Sequence, residues 1–385
     1  MAVAAAGLLA AAILTPAMPA GAAAAAPAPV QAQHVPWSEV GSGWVLDQYT
    51  VASPSKPGPA TLYLFSPQGT RYRLASWPDS DTAPQLLAWS PDGTRALFTL
   101  NAGKRAEQLN LATGKATTFT LAGGAVPTGY TTPRGADIVG AKPAPRGNCL
   151  PDCDFGRFSQ DGTLIHSLGS HSSEVLYTAR GTEFVTSGSR GLELASSNGA
   201  AIRQLRIPGM EPTSCAPVRW WGSSTMLALC YPPDAPGYTS SIGGAQLWLV
   251  PVSGARPTAL TGQAAPDEGY SDAWKLGSGV YLDGGCSQAL WNQSSRNPLV
   301  TVPGTKDDDV QVVTAVGSRL LVVASASCFG TSSGSLLWFN PATDAEQWLM
   351  RVPEHVYGTS SAIAFYSRDS AMSCAAESIA AGCPI

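Results

Sequence analysis

The chain has 385 residues, of which 13% are charged, with 40 Gly and 31 Pro. The formal net charge is -4, and no run of Lys or Arg appears, which excludes a strongly basic nucleic-acid binder. Low charge and plentiful turn formers fit many short strands joined by tight turns, and a repeat ring of this length can form one domain.

Residues 1–30 differ in composition from the rest. An apolar run over residues 8–14 is followed by Pro16, Pro19 and an Ala- and Pro-rich tract. This reads as a signal peptide, with small residues over 20–26 suited to cleavage, although the usual positive residues ahead of the run are missing. A disordered leader is the alternative. The run is too short and too broken by proline to span a membrane. The expected location is therefore secreted or in the cell envelope.

From His34 onward the chain reads as hairpins. Residues 85–121 show the unit. An apolar run enters Pro91-Asp92-Gly93-Thr94, in which Pro presets φ and Gly accepts positive φ. A second run returns, a third leads into Ala112-Thr113-Gly114-Lys115, and a fourth closes a four-stranded antiparallel meander. Such a sheet cannot bury its faces alone, so it is expected to repeat. First hairpins begin at Gly41, Ala88, Tyr130, Leu176, Arg219, Ala273 and Thr314. Second hairpins begin at Leu62, Gln108, Gly156, Leu192, Gln246, Ala289 and Leu336. Their spacing of roughly 40 to 55 residues is that of a propeller blade. The expected fold is all-β, a single-domain β-propeller over 34–370 with seven blades of four-stranded antiparallel sheets, six blades being the alternative. The segment VYGTSSAIAFYS after His355 is left over, and it can close the ring on blade one. Residues 371–385 form a tail closed by a disulfide.

SPDGTRALF at Ser90 resembles the repeat of TolB-type propellers, in which a Ser-Pro-Asp-Gly turn joins the first two strands. FSQDGTLIH at Phe158 echoes that turn. The resemblance implies the propeller fold.

Eight cysteines behind a signal peptide point to disulfides in an oxidising compartment. Local order suggests Cys149 with Cys153 and Cys374 with Cys383. Cys215 and Cys230 flank a hairpin symmetrically about Gly222-Ser223, so they are expected to face each other across paired strands. Cys286 and Cys328 then remain for each other.

Several motifs read as structure. GTSSG at Gly330 matches a nucleophile-elbow pattern, but a strand follows where a helix is needed. The four His show no metal-ligand spacing. The turns at Ser90 and Ser159 place Gly one position too early for sialidase Asp-boxes. Trp89, Trp220, Trp221, Trp248, Trp274, Trp291 and Trp338 recur at equivalent strand positions, as inter-blade packing requires.

Acidic connectors between blades are more informative: Asp79 and Asp81, then Asp267, Glu268 and Asp272, then Asp307, Asp308 and Asp309. Grouped carboxylates can hold a hard cation such as Ca²⁺ through oxygen, attract a cationic partner, or remain solvated. No other cofactor is expected. In a propeller the turns sort onto two faces, and the loops at Ser53, Lys142, Pro232 and Ser327 make one face the long-loop face. Long loops on a rigid scaffold are where binding residues sit. The expected contacts there are Asp267, Asp272, Asp307 and Asp308, with Tyr238 and Phe329 as aromatic partners. The expected function is a secreted or cell-surface, monomeric, non-catalytic binding propeller for a protein or glycan partner. The alternative is a propeller hydrolase or lyase, glycosidase-like, with carboxylates over the channel.

Overall fold

A computed structural model describes residues 30–31, 34–53, 56–101, 103–142, 153–172, 175–188, 190–211, 215–231, 245–262, 270–283, 291–293, 309–325, 334–351 and 357–364. These residues form a β-propeller of seven sheets. Blade two illustrates the plan, with Gln85–Trp89 innermost, then Arg95–Leu100, Arg105–Asn110 and Ala116–Phe119 outermost. Its first turn forms for the reason the residues suggest. Gly93 sits at φ 76°, its N–H donates to the Ser90 carbonyl at 2.8 Å, and Asp92 Oδ1 accepts from the Thr94 N–H at 3.1 Å. The strands beyond the turn then face each other, with Ala88 opposite Leu97, both fully buried.

Blade three runs Val126–Tyr130, Ile138–Lys142, Cys153–Phe158 and Leu164–His171; blade four runs Leu176–Tyr177, Glu183–Gly188, Gly191–Ser196 and Ala201–Gln204. Blade five consists of Cys215–Trp220, Thr225–Cys230, Gln246–Pro251 and Thr258–Ala259. Among the described residues blade six shows three strands, Asp272–Leu276, Gly279–Asp283 and Trp291–Asn292. Blade seven completes the count with Asp309–Val316, Arg319–Ser325, Ser335–Asn340 and Ala345–Met350.

Blade one differs from the sequence expectation in one respect. The segment after Gly41 was read as the blade's own first hairpin. In the structure Val45–Ser53 is instead the second strand of its blade. It pairs with Lys56–Phe65 on one side and with Tyr357–Ala364 on the other. The C-terminal strand is therefore the innermost strand of blade one, and the leftover segment closes the ring. It contacts the inner strands of blades two and seven. On the outer side, Val30–Gln31 pairs in parallel with Arg71–Trp77, so blade one carries both ends of the described chain on opposite edges.

Apolar side chains fill the wedges between blades. Between blades one and two, Leu46, Leu62, Leu64, Leu86, Trp89 and Phe98 form one cluster. Trp89, Trp220, Trp274 and Trp338 are all buried. The described residues contain no helix long and apolar enough to cross a membrane.

Candidate functional site

The inner strands start, and the second strands end, at one end of the ring. Cys215 opposes Cys230 there, and the two form the expected disulfide. Cys153 is also disulfide-bonded. Cys149, Cys286, Cys328, Cys374 and Cys383 lie outside the described residues, as do Asp267, Asp307, Asp308, Tyr238 and Phe329. Asp272 alone of the six expected contact residues is described, and it is 4% exposed.

Asp272 belongs to a charged cluster buried between blades five and six. Arg219, on the innermost strand of blade five, is 2% exposed. Its Nε donates to Asp272 Oδ1 at 2.7 Å, its Nη2 is in ion-pair contact with Asp272 Oδ2, and its guanidinium lies over the Trp274 ring. Asp272 Oδ1 also accepts from the Ala273 N–H at 2.7 Å. Directly across the strand pair stands Asp283. Its Oδ2 accepts from the Val312 N–H at 2.8 Å and so ties blade six to blade seven. Burial pushes the Arg219 pKa well below its ordinary value, and the Asp283 charge acts in the opposite direction. With a carboxylate in contact, the guanidinium remains a cation. The two carboxylates are thus committed to holding three blades together. A glycosidase pair needs one carboxyl group on each side of a scissile bond, and this cluster offers no such arrangement.

The described histidines are not set up for general-base work either. His171 is buried, sits between the Phe155 and Phe184 rings, and its Nε2 is 2.8 Å from the Leu168 carbonyl. His34 and His166 are exposed. Among the described residues no group of three or more His, Cys, Asp and Glu could hold a metal ion.

Open space lies at the junction of blades four and five. A groove of about 330 Å³ runs between the turn at Arg190 and Gly191 and the connector that carries Arg206, Ile207, Met210 and Glu211. Its floor is Leu192 and Leu205, with Cys215 at one wall, and all three are buried. A second hollow of about 150 Å³ shares Arg190 and Gln204 with the first and continues along Ala201, Ile202 and Arg203. Arg190 Nη2 reaches Glu193 Oε2 at 2.7 Å, while Gln204 Nε2 donates to the Arg190 carbonyl. Glu211 has a partner as well. Arg206 is exposed and forms no ion pair among the described residues. The groove therefore combines an apolar floor with a rim that carries Arg190, Arg206 and Glu211.

Sequence reasoning missed Arg219, Asp283 and the groove. Arg219 did leave a signal, because it is one charge inside the otherwise apolar run PVRWW. The groove left none, since its walls come from a turn and a connector without a motif.

No family model matches the chain, and no curated protein is recognisably similar to it in sequence. Solved structures are similar in fold. A prolyl endopeptidase matches at a TM-score of 0.54 and 10% identity, over 85% of this chain and 49% of its own length. The β-propeller domain of the Trilobed protease from Pyrococcus furiosus matches at 0.51 and 11% identity, over 80% of this chain and 94% of its own. TolB from Acinetobacter baumannii matches at 0.42 and 15% identity, over 83% of this chain and 66% of its own. The chain spans about half the length of the prolyl endopeptidase. At these identities the two likenesses above 0.5 show the propeller fold alone, and no family model assigns the repeat to the TolB type. The expectation of a non-catalytic binding propeller is corrected at this point. The structures that share the fold at TM-scores above 0.5 include a prolyl endopeptidase and the β-propeller domain of the Trilobed protease.

Proposed function

We propose that this chain is a peptide hydrolase, with an extended peptide lying along the groove between blades four and five. The groove carries the reading. An apolar floor beside a few convergent polar groups is the ordinary make-up of a small-ligand site, and guanidinium groups suit carboxylates. Propellers of prolyl endopeptidase and Trilobed protease type share the fold, which supports peptides as the substrate class. The blades would hold the peptide in an extended form, so that less freedom is lost at the reacting bond. Disulfide-bonded Cys153, Cys215 and Cys230 support a place of work outside the cytoplasm, as the expected signal peptide does.

The test is to incubate the full chain with a mixture of peptides of graded length and follow the mixture by mass spectrometry. Shorter fragments should accumulate with time, and a heat-denatured sample should produce none. Peptides that stay intact through prolonged incubation with folded protein would overturn the reading.

A further inference from the structure

We infer that the groove between blades four and five recognises the free C-terminal carboxylate of a peptide whose last side chain is apolar. The inference rests on the hydrolase reading and names its substrate class.

Charge on the rim is the first argument. Glu193 is paired with Arg190, and Glu211 has its own partner. Arg206 is exposed and forms no ion pair among the described residues. Arg190 is still accessible, with 71% of its side chain exposed. A guanidinium has five N–H donors, and the Glu193 contact uses Nη2 alone. An incoming carboxylate can therefore accept from Arg190 and Arg206 without displacing a bond already formed. Such charge-assisted bonds are shorter and stronger than neutral ones.

Size and floor chemistry select the rest of the ligand. The larger hollow, about 330 Å³, is at the low end for small-molecule sites. It has room for one terminal residue and none for a folded domain. Leu192, Leu205, Ile207 and Met210 line it, so an apolar terminal side chain loses contact with water there, while a charged one is left desolvated. The smaller hollow runs on beside Ile202, an isoleucine 48% exposed. It lies along the outer strand of blade four, where the preceding residue of an extended peptide would pass.

The probe is a dye-labelled pentapeptide ending in Leu, made once as the free acid and once as the C-terminal amide. Fluorescence anisotropy with the full chain should show the acid binding about tenfold more tightly, as expected for one charge-assisted contact at a partly exposed site. Arg206→Gln should weaken the acid preference, and Arg190→Gln together with Arg206→Gln should bring the acid down to the affinity of the amide. Arg180→Gln removes an equal charge from an exposed turn between the first two strands of blade four, and it should leave the preference intact. Equal affinity of acid and amide for the unaltered protein would overturn the inference, as would an acid preference that survives undiminished in the double change of Arg190 and Arg206. Mass spectrometry of the same mixtures separates this result from the parent reading. Cleavage without any acid preference removes the groove assignment and keeps the hydrolase. Acid-selective binding without cleavage removes the hydrolase and keeps the groove.

Discussion

Two junctions of the ring are closed by opposite chemistry. Between blades one and two, Gln48 is buried on the second strand of blade one. Its Nε2 donates to the Pro84 carbonyl at 2.6 Å, and its Oε1 accepts from the Leu86 N–H at 2.5 Å. Between blades five and six, Arg219 meets Asp272 in the buried ion pair described above. The amide is neutral and bonded at both ends, so its burial costs little once those bonds form. Each ion of the second junction costs several kcal/mol to desolvate, and only contact with its partner offsets that cost. Among the described residues Arg219 Nη1 also lacks a hydrogen-bond partner. Losing one partner should therefore be graded in effect at the first junction and severe at the second.

The broadest way to break this contrast is to remove the strand on which the first junction leans. Gln48 pairs with Ser361 within the ladder to Tyr357–Ala364. Deletion from His355 onward takes that strand away and leaves an open sheet edge along Val45–Ser53. Ile363, which packs against the cluster between blades one and two, goes with it. Cooperative thermal unfolding should be lost, whereas a trim from Ala371 should leave the melting curve unchanged. If both truncations melt alike, the seam is peripheral and Gln48 cannot be a junction residue in the sense used here.

Next in size is Asp272→Ala, which strands a buried guanidinium and should cost about 3–5 kcal/mol in urea denaturation. The double change Arg219→Met with Asp272→Leu removes both charges and should recover most of that loss. A double variant as unstable as the single one would mean that packing, rather than charge, sets the cost. Smallest is Gln48→Ala, which leaves one backbone donor and one acceptor without their partner and should cost about 1–3 kcal/mol. A loss matching that of Asp272→Ala would erase the difference between the junctions.

The hairpins were legible in the sequence because their signals are local. Residues such as Pro91, Asp92 and Gly93 set a turn within a few positions, and the paired apolar runs follow from it. The hairpins beginning at Ala88, Tyr130, Leu176, Arg219, Ala273 and Thr314 each contribute to paired strands in the structure. Blade one was legible only in part, since Val45–Ser53 takes its inner partner from the far end of the chain and no turn residue records that pairing. Asp272 is expected as a contact residue because it sits in an acidic connector between blades. Its burial depends on Arg219, which approaches it from another blade, a distance that local pattern cannot convey. The groove was illegible for the same reason, as its rim and floor are brought together only when blade four packs on the connector into blade five.

The seam has a consequence for the order of events as the chain is made. Val45–Ser53 is complete early in synthesis, yet its inner partner follows roughly 300 residues later. At ordinary synthesis rates that interval is on the order of tens of seconds. Throughout it, the first blade has one ladder edge unpaired, and such an edge is a template for wrong partners. Blades two to seven draw their strands from contiguous stretches and can form as they emerge. Sequence-distant pairing is also the slow kind. The last described strand to leave the ribosome thus decides when the first blade is finished, and a chain stalled before Tyr357 should be the species that chaperones hold and proteases find.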